Sequence, residues 1–251
     1  RAVVLAPAGG KRAFVSGPIE LRAGVALVVG RGAILFASRD PREYDIKPGV
    51  CGTVDQNGKG CRPFITANRA NGAALMGPGT VDGRGWATLL GKSVTWWELA
   101  EQARADTKLH QNNPRLVHFT RSDDITLYDI ALRNSAMFHV MFERGNGFTA
   151  WGVVIDTPDH ARNTDGIDPS SATNVTITHS WIRTGDDNVA IKAGSGGPIS
   201  NVTVSHSHFY TGHGMSVGSE TSGGVRKVRV FDLTIDGADN GLRIKSNITR
   251  G

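Results

Sequence analysis

Short apolar runs separated by polar, glycine-rich turns fill the second half of the chain, and the runs recur. Asp124-Ile-Thr-Leu, Gly147-Phe-Thr-Ala, Asn174-Val-Thr-Ile, Asn201-Val-Thr-Val and Lys227-Val-Arg-Val begin 23, 27, 27 and 26 positions apart. Alternation of apolar and polar residues with many β-branched side chains predicts half-buried strands. A fixed period in this range predicts stacked units. Leucine-rich repeats share the period, but their LxxLxL signature is absent. Units of strands and turns without a helix predict an all-β parallel β-helix, in which each coil lies on the one before.

The first half is less periodic. Residues 25–36 read as two short strands broken at Gly30 and Gly32, and GPGTVDGRG (77–85) as a strand between glycine turns. Thr95-Trp-Trp-Glu98 has the form of a capping box. A short helical insertion is therefore expected over 95–108, folded against the side of the stack. No linker interrupts the pattern, so residues 1–251 are expected to form one domain. The chain ends six residues after Lys245. The last coil would then carry an open edge, which natural sheets avoid, and a chain cut short at its C-terminal end is expected.

Equal offsets within stacked coils place side chains one above another, about 4.8 Å apart per coil. Asp186, His213 and Asp239 each lie 12 residues after the start of their repeat, at Asn174, Asn201 and Lys227. Lys192 and Lys245 share an offset of 18. One face of the stack thus gathers acids, a histidine and cations. Asp165 belongs to the preceding coil, whose turn is longer, and its offset does not align.

Composition narrows the reading. Apolar residues are 39%, charged residues 20%, and there are 32 glycines, which suits a folded chain with many turns. A net charge of +5 attracts polyanions. No run of five Lys/Arg marks a nucleic-acid partner, and no stretch approaches the roughly 20 apolar residues of a membrane span. The opening RAVVLAPAGG has no apolar core of a signal peptide, so a secreted protein would be represented in processed form. Cys51 and Cys61 bracket a polar, glycine-rich loop, which suits a surface disulfide in an oxidising compartment. Two free thiols are the alternative. Without a CxxC motif a zinc site is not expected.

Carboxylates cluster in Asn163-Thr-Asp165-Gly-Ile-Asp168 and in Gly185-Asp186-Asp187-Asn188. Closely spaced carboxylates cannot all ionise freely, so at least one should hold its proton to higher pH. An acid beside ionised partners is what glycoside hydrolysis requires. Taken singly, such pairs are equally turn chemistry or Ca²⁺ ligands. His213 stands between Gly212 and Gly214 and is matched in offset to Asp186, which makes it a tuner of that acid. His179, His206 and His208 lie on or beside predicted strands and read as structural. Arg243-Ile-Lys245 puts two cations on one strand face with Ile244 on the other, which suits a carboxylate-bearing ligand or a solvated face.

NTDGID (163–168), GDDNVAIK (185–192), GHGMSVGSE (212–220) and GLRIKS (241–246), in that order, resemble the polygalacturonase family of pectin hydrolases. CGTVDQNGKGC, GPGTVDGRG, WWELA and GFTAW extend the resemblance, to its bacterial branch, over nearly the whole chain. It implies a right-handed parallel β-helix and inverting hydrolysis of α-1,4 bonds between galacturonates, with no metal and no other cofactor. It implies Asp186 as general acid, Asp165 and Asp187 as the groups that hold and activate water, and His213 as support for the acid. Asn163, Arg243 and Lys245 would bind the galacturonate. The expected form is a secreted, endo-acting enzyme that works as a monomer on pectic polysaccharide. Adjacent Asp186 and Asp187 would point to opposite faces of a strand, so both can serve one site only from a turn or bulge, which Gly185 would permit. Rival readings are a Ca²⁺-dependent pectate lyase, a hydrolase of rhamnogalacturonan or xylogalacturonan, and a non-catalytic module that binds acidic glycans.

Overall fold

A computed structural model describes residues 1–246, so the last five residues of the expected domain lie outside the described residues. The chain forms the parallel β-helix that the repeat requires. Each regular coil supplies three strands, and each strand pairs in parallel with its counterparts in the coils before and after. One face is an eight-stranded sheet running from Ile19–Glu20 to Leu242–Ile244. The other two faces merge where the strands Ile199–Phe209 and Val225–Ile235 run around the corner between them.

The corners have a backbone signature. Asp124, Gly147, Asn174, Asn201 and Lys227, the first residues of the five repeats, all have φ between 54° and 85°. Five residues later Asp129, Gly152, His179, His206 and Asp232 repeat the left-handed conformation. A single left-handed residue bends the strand onto the next face, and Gly, Asn and Asp adopt that conformation at least cost. The repeated Asn and Gly of the sequence are therefore corner residues. Asn146, Asn174 and Asn201 also join their side-chain amides from coil to coil.

Inside, like stacks on like. Val117, Val140, Ile167, Val189 and Met215 form one column of the eight-stranded sheet, and Ile125, Phe148, Val175 and Val202 form one across the core. All are buried. Stacked in this way, the buried side chains join into one core cluster that extends along the axis.

The strands expected over 25–36 are Ala26–Val29 and Ile34–Ala37, and 77–85 contains the strand Thr80–Asp82. The capping box is present: Thr95 Oγ1 accepts from the Glu98 amide at 3.1 Å, and Glu98 accepts from the Thr95 amide at 2.7 Å. The helix, Trp96–Arg104, is shorter than the expected 95–108. Asp106 accepts the Lys108 amide through its side chain, which offers the backbone an alternative to a further helical turn. Asn113 donates to the carbonyls of Trp96 and Ala136 and ties the helix to the stack.

Cys51 and Cys61 form a disulfide. The bond is less superficial than expected, because Cys51 lies within the hydrophobic core cluster. Its loop folds back on the stack through the antiparallel pair Val54–Asp55 and His110–Gln111, and Asn112 Oδ1 accepts the Gly60 amide at 2.7 Å.

Candidate active site

The outward face of the eight-stranded sheet carries the chemistry. Along it Ala190, Ser216 and Arg243 are register partners, as are Ser170 and Lys192. One step beyond the Ile191–Val217–Ile244 column stand Lys192, Gly218 and Lys245. Lys192 and Lys245 thus share a column, as their common offset predicted, with Gly218 between them. Small residues at 190 and 218 leave the floor open. A Cβ at Gly218 would meet the Lys245 carbonyl oxygen at 2.2 Å, so that position admits only glycine.

Asp186 and Asp187 lie in the bend between the strands Trp181–Arg183 and Val189–Ile191, not within a strand. Gly185 makes this possible through space rather than through φ: a Cβ there would lie 2.2 Å from the Ala161 carbonyl oxygen. Asp186 Oδ1 lies 3.0 Å from His213 Nδ1 and accepts the Asp187 amide at 2.8 Å. The matched offset of Asp186 and His213 is a direct contact. Asp239, the third residue at that offset, stands 3.6 Å from His213 Nε2.

Burial works to raise the Asp186 carboxyl, but the His213 hydrogen bond and charge, the Asp187 amide and Lys245 outweigh it, and Asp186 sits below the ordinary carboxylate range. The same hydrogen bond, opposed by partial burial, raises His213 above the ordinary histidine value. In the ligand-free pair the proton resides chiefly on the imidazole.

Asp187 is buried and crowded. Ser216 Oγ donates to its Oδ1 at 2.7 Å, Arg243 also reaches Oδ1, and Lys245 Nζ donates to Oδ2 at 2.5 Å. Arg243 and Lys245, read from the sequence as substrate ligands, therefore both rest on Asp187, and each keeps more than a quarter of its side chain exposed to the cleft.

Asp165 enters from the coil before. The turn between Asp156 and Ile167 holds residues 157–166, whereas its counterpart after Arg183 holds only 184–188. The extra length explains why offset counting missed its place. Counted backward from the site sheet the register is clean, since the Gly166 amide donates to the Asp187 carbonyl and Ile167 pairs with Val189. Asp165 is 3% exposed and its Oδ1 has no hydrogen-bond partner. Burial, then the charge of Asp168, hold it well above the ordinary range against the pull of Lys192. The raised carboxyl expected from clustering is thus Asp165, with Asp168 beside it, and not Asp186. Asn163 joins the group: its Nδ2 lies 3.5 Å from Asp186 Oδ2, and its Oδ1 accepts from Gln111 Nε2 at 3.0 Å.

Several contributing residues had no distinct signal in the sequence. His139 is fully buried; its Nδ1 faces the carbonyls of Thr164 and Asp165 at 3.2 and 3.0 Å, and its Nε2 faces Thr157 Oγ1 at 2.7 Å. Two carbonyl acceptors at Nδ1 fix a neutral imidazole with its proton there. His139 thereby ties both ends of the long turn. Gln111, from the disulfide-loop strand pair, and Phe138, under Lys192, were also missed, because each acts from a different coil. Lys192 was visible only as a stacking partner.

Phe138, Asn163, Asp165, Asp186, Asp187, Lys192 and Lys245 line a cleft of about 270 Å³. On one side it continues into a larger cleft of about 660 Å³ that includes Lys59, His110, Arg115 and Arg144. A third, of about 370 Å³, is lined by His160, His213 and Asp239. Asp186, Asp187 and His213 bring possible ligand atoms within 4.8 Å of one another. Arg243 and Lys245 already supply the positive charge that a divalent ion would bring there, so the cluster does not suit a metal.

The chain is 51% identical over 241 residues to an endo-polygalacturonase of Pectobacterium carotovorum subsp. carotovorum, covering 96% of this chain and 60% of that protein. It is 40% identical over 279 residues to a polygalacturonase of Ralstonia solanacearum, covering 96% and 52%. The solved structure of a polygalacturonase from Erwinia carotovora ssp. carotovora superposes with a TM-score of 0.97 at 50% identity, over the whole of this chain and 66% of that one. The chain spans 60% or less of the length of these two sequence relatives. The sequence profile described as glycosyl hydrolases family 28 matches residues 28–250, and on that match and these identities the chain belongs to that family.

Proposed function

We propose that the protein hydrolyses the α-1,4 bonds of polygalacturonate with inversion. The observation that carries this reading is the convergence of Asp165, Asp186 and Asp187 on one cleft beside Arg243, Lys245 and His213. In this mechanism the Asp186–His213 pair gives its proton to the leaving glycosidic oxygen through the Asp186 carboxyl. Water attacks the anomeric carbon from the opposite face and passes a proton to Asp165. A proton then returns from base to acid through solvent.

The low proton affinity of free Asp186 fits this scheme once substrate is considered. A galacturonate carboxylate entering the cleft adds negative charge and competes for Arg243 and Lys245, and both effects return the proton to Asp186. Asp165 acts as the base in its ionised form, which Lys192 favours against burial and Asp168, and Asp187 engages water only when substrate draws one of its cations away. Asn163 positions Asp186 from the far side. Inverting hydrolysis places the acid and base ~6.5–9.5 Å apart to admit water.

The larger cleft that continues from the site favours endo action, in keeping with the name of the Pectobacterium relative. A disulfide suits a secreted protein. Asp186→Asn tests the reading: release of reducing ends from polygalacturonate should fall at least about 10²-fold, with binding retained. Undiminished release would remove Asp186 as the acid, and a UV-absorbing product would replace hydrolysis by elimination.

A further inference from the structure

Beneath the cleft lies a buried group that the scheme above leaves unused. Lys192 Nζ stands 2.7 Å from Asp168 Oδ2 and 3.4 Å from Asp165 Oδ2. Its ammonium lies 4.4 Å from the centre of the Phe138 ring. Asp168 is completely buried and Asp165 nearly so. Two carboxylates therefore share one cation in a space from which water is largely excluded. A buried charge persists only when paired, and removing one partner leaves the other exposed to the full cost of desolvation.

The fold sets this arrangement. Asp168 lies on the outward face of the strand Ile167–Ser170, and Lys192 is the bridge partner of Ser170 on the next coil. Phe138 closes the other side.

We propose that Lys192 is a positioning residue for Asp165: anchored by Asp168 and seated on Phe138, it fixes the carboxylate oxygen Oδ2 and with it the orientation of the carboxylate in the cleft where water attacks. Asp168 is the counterweight. It holds the ammonium in place, and its own negative charge opposes ionisation of Asp165. This rests on the reading of Asp165 as the water-activating base. The charged groups that bear on Asp165 are Asp168, Lys192, Asp186, Asp187 and, at longer range, Arg115, with Glu220 acting on Lys192. Burial, followed by the charge of Asp168, favours the protonated acid, and Lys192 opposes it.

The test is the pH profile of kcat/KM on polygalacturonate, with folding monitored by thermal unfolding. In Lys192→Met the acid limb should move to higher pH and kcat should fall by about 10²-fold, while KM stays within about threefold. Lys192→Arg should restore the limb towards its original position. In Asp168→Asn the limb should move the other way, to lower pH, because the competing anion is gone. If Lys192→Met fails to fold, Asp168→Asn decides alone. Folded variants whose acid limbs stay at the parent position overturn the proposal, since a merely structural pair would change stability without moving the limb. Asp165→Asn, run alongside, separates the two levels. Retained hydrolysis there removes the underlying reading of the base. Lost hydrolysis there with unmoved limbs in the other variants removes the positioning role alone.

Discussion

His139 shows how a single buried side chain sets conditions on the candidate site. Burial pushes its imidazole down to about 4, against hydrogen bonds to the Asp165 and Thr164 carbonyls that work to raise it. The unfolded chain takes up this proton near 6.5, the folded chain only near 4. As pH falls through that window the unfolded state binds more protons, so stability drops. It is present in full above about 6.5 and lost progressively towards 4, by roughly 3 kcal/mol for this group. The expected outcome is a thermal midpoint that falls between these pH values more steeply in the parent protein than in His139→Gln. Parallel curves would show that the histidine does not titrate on unfolding in this window. At the same scale Arg243 and Lys245 exemplify residues whose types were legible and whose partners were not. Two cations on one strand face read as carboxylate ligands, but the carboxylate they hold without substrate is Asp187.

Among the elements, the disulfide-bonded loop acts as a wall of the larger cleft. It contributes Asn57, Gly58 and Lys59 there, and its strand Val54–Asp55 pairs with His110–Gln111. Gln111 in turn holds Asn163, which reaches Asp186. Opening the Cys51–Cys61 bond should cost about 2–3 kcal/mol for a loop of this length. It should also raise KM for polygalacturonate more than it lowers kcat, because the loop walls the larger cleft and reaches the acid only through Gln111 and Asn163. Kinetics of the Cys51→Ser, Cys61→Ser double variant check this; unchanged KM would separate the loop from the site. The strands and the capped helix were readable because their signals are local: alternation between glycine-rich turns, and a Thr–Glu box. The end of the helix at Arg104 was not, since Asp106 stops it by a side-chain hydrogen bond that competes with the helical one.

For the whole molecule, a net charge of +5 and a cleft carrying Lys59, Arg115 and Arg144 predict attraction of an anionic polymer. Raising ionic strength from ~0.01 to ~0.15 M shortens the screening length from about 30 to about 8 Å. KM for polygalacturonate should rise with little change in kcat, and a salt-independent KM in steady-state assays would argue against electrostatic capture.

The coil period and the register could be counted from the residues alone, and from them it follows that Asp186 meets His213 and that Lys192 shares a column with Lys245. In a parallel stack, neighbours in space are residues at equal offsets, and offsets can be counted. Tertiary structure alone decided what breaks that period. The long turn at 157–166 carries Asp165 to the site, His139 pins it, and the burial of Lys192 between Asp165 and Asp168 fixes the proton affinities. Those depend on which side chains from different coils exclude water together, and no spacing along the chain encodes that.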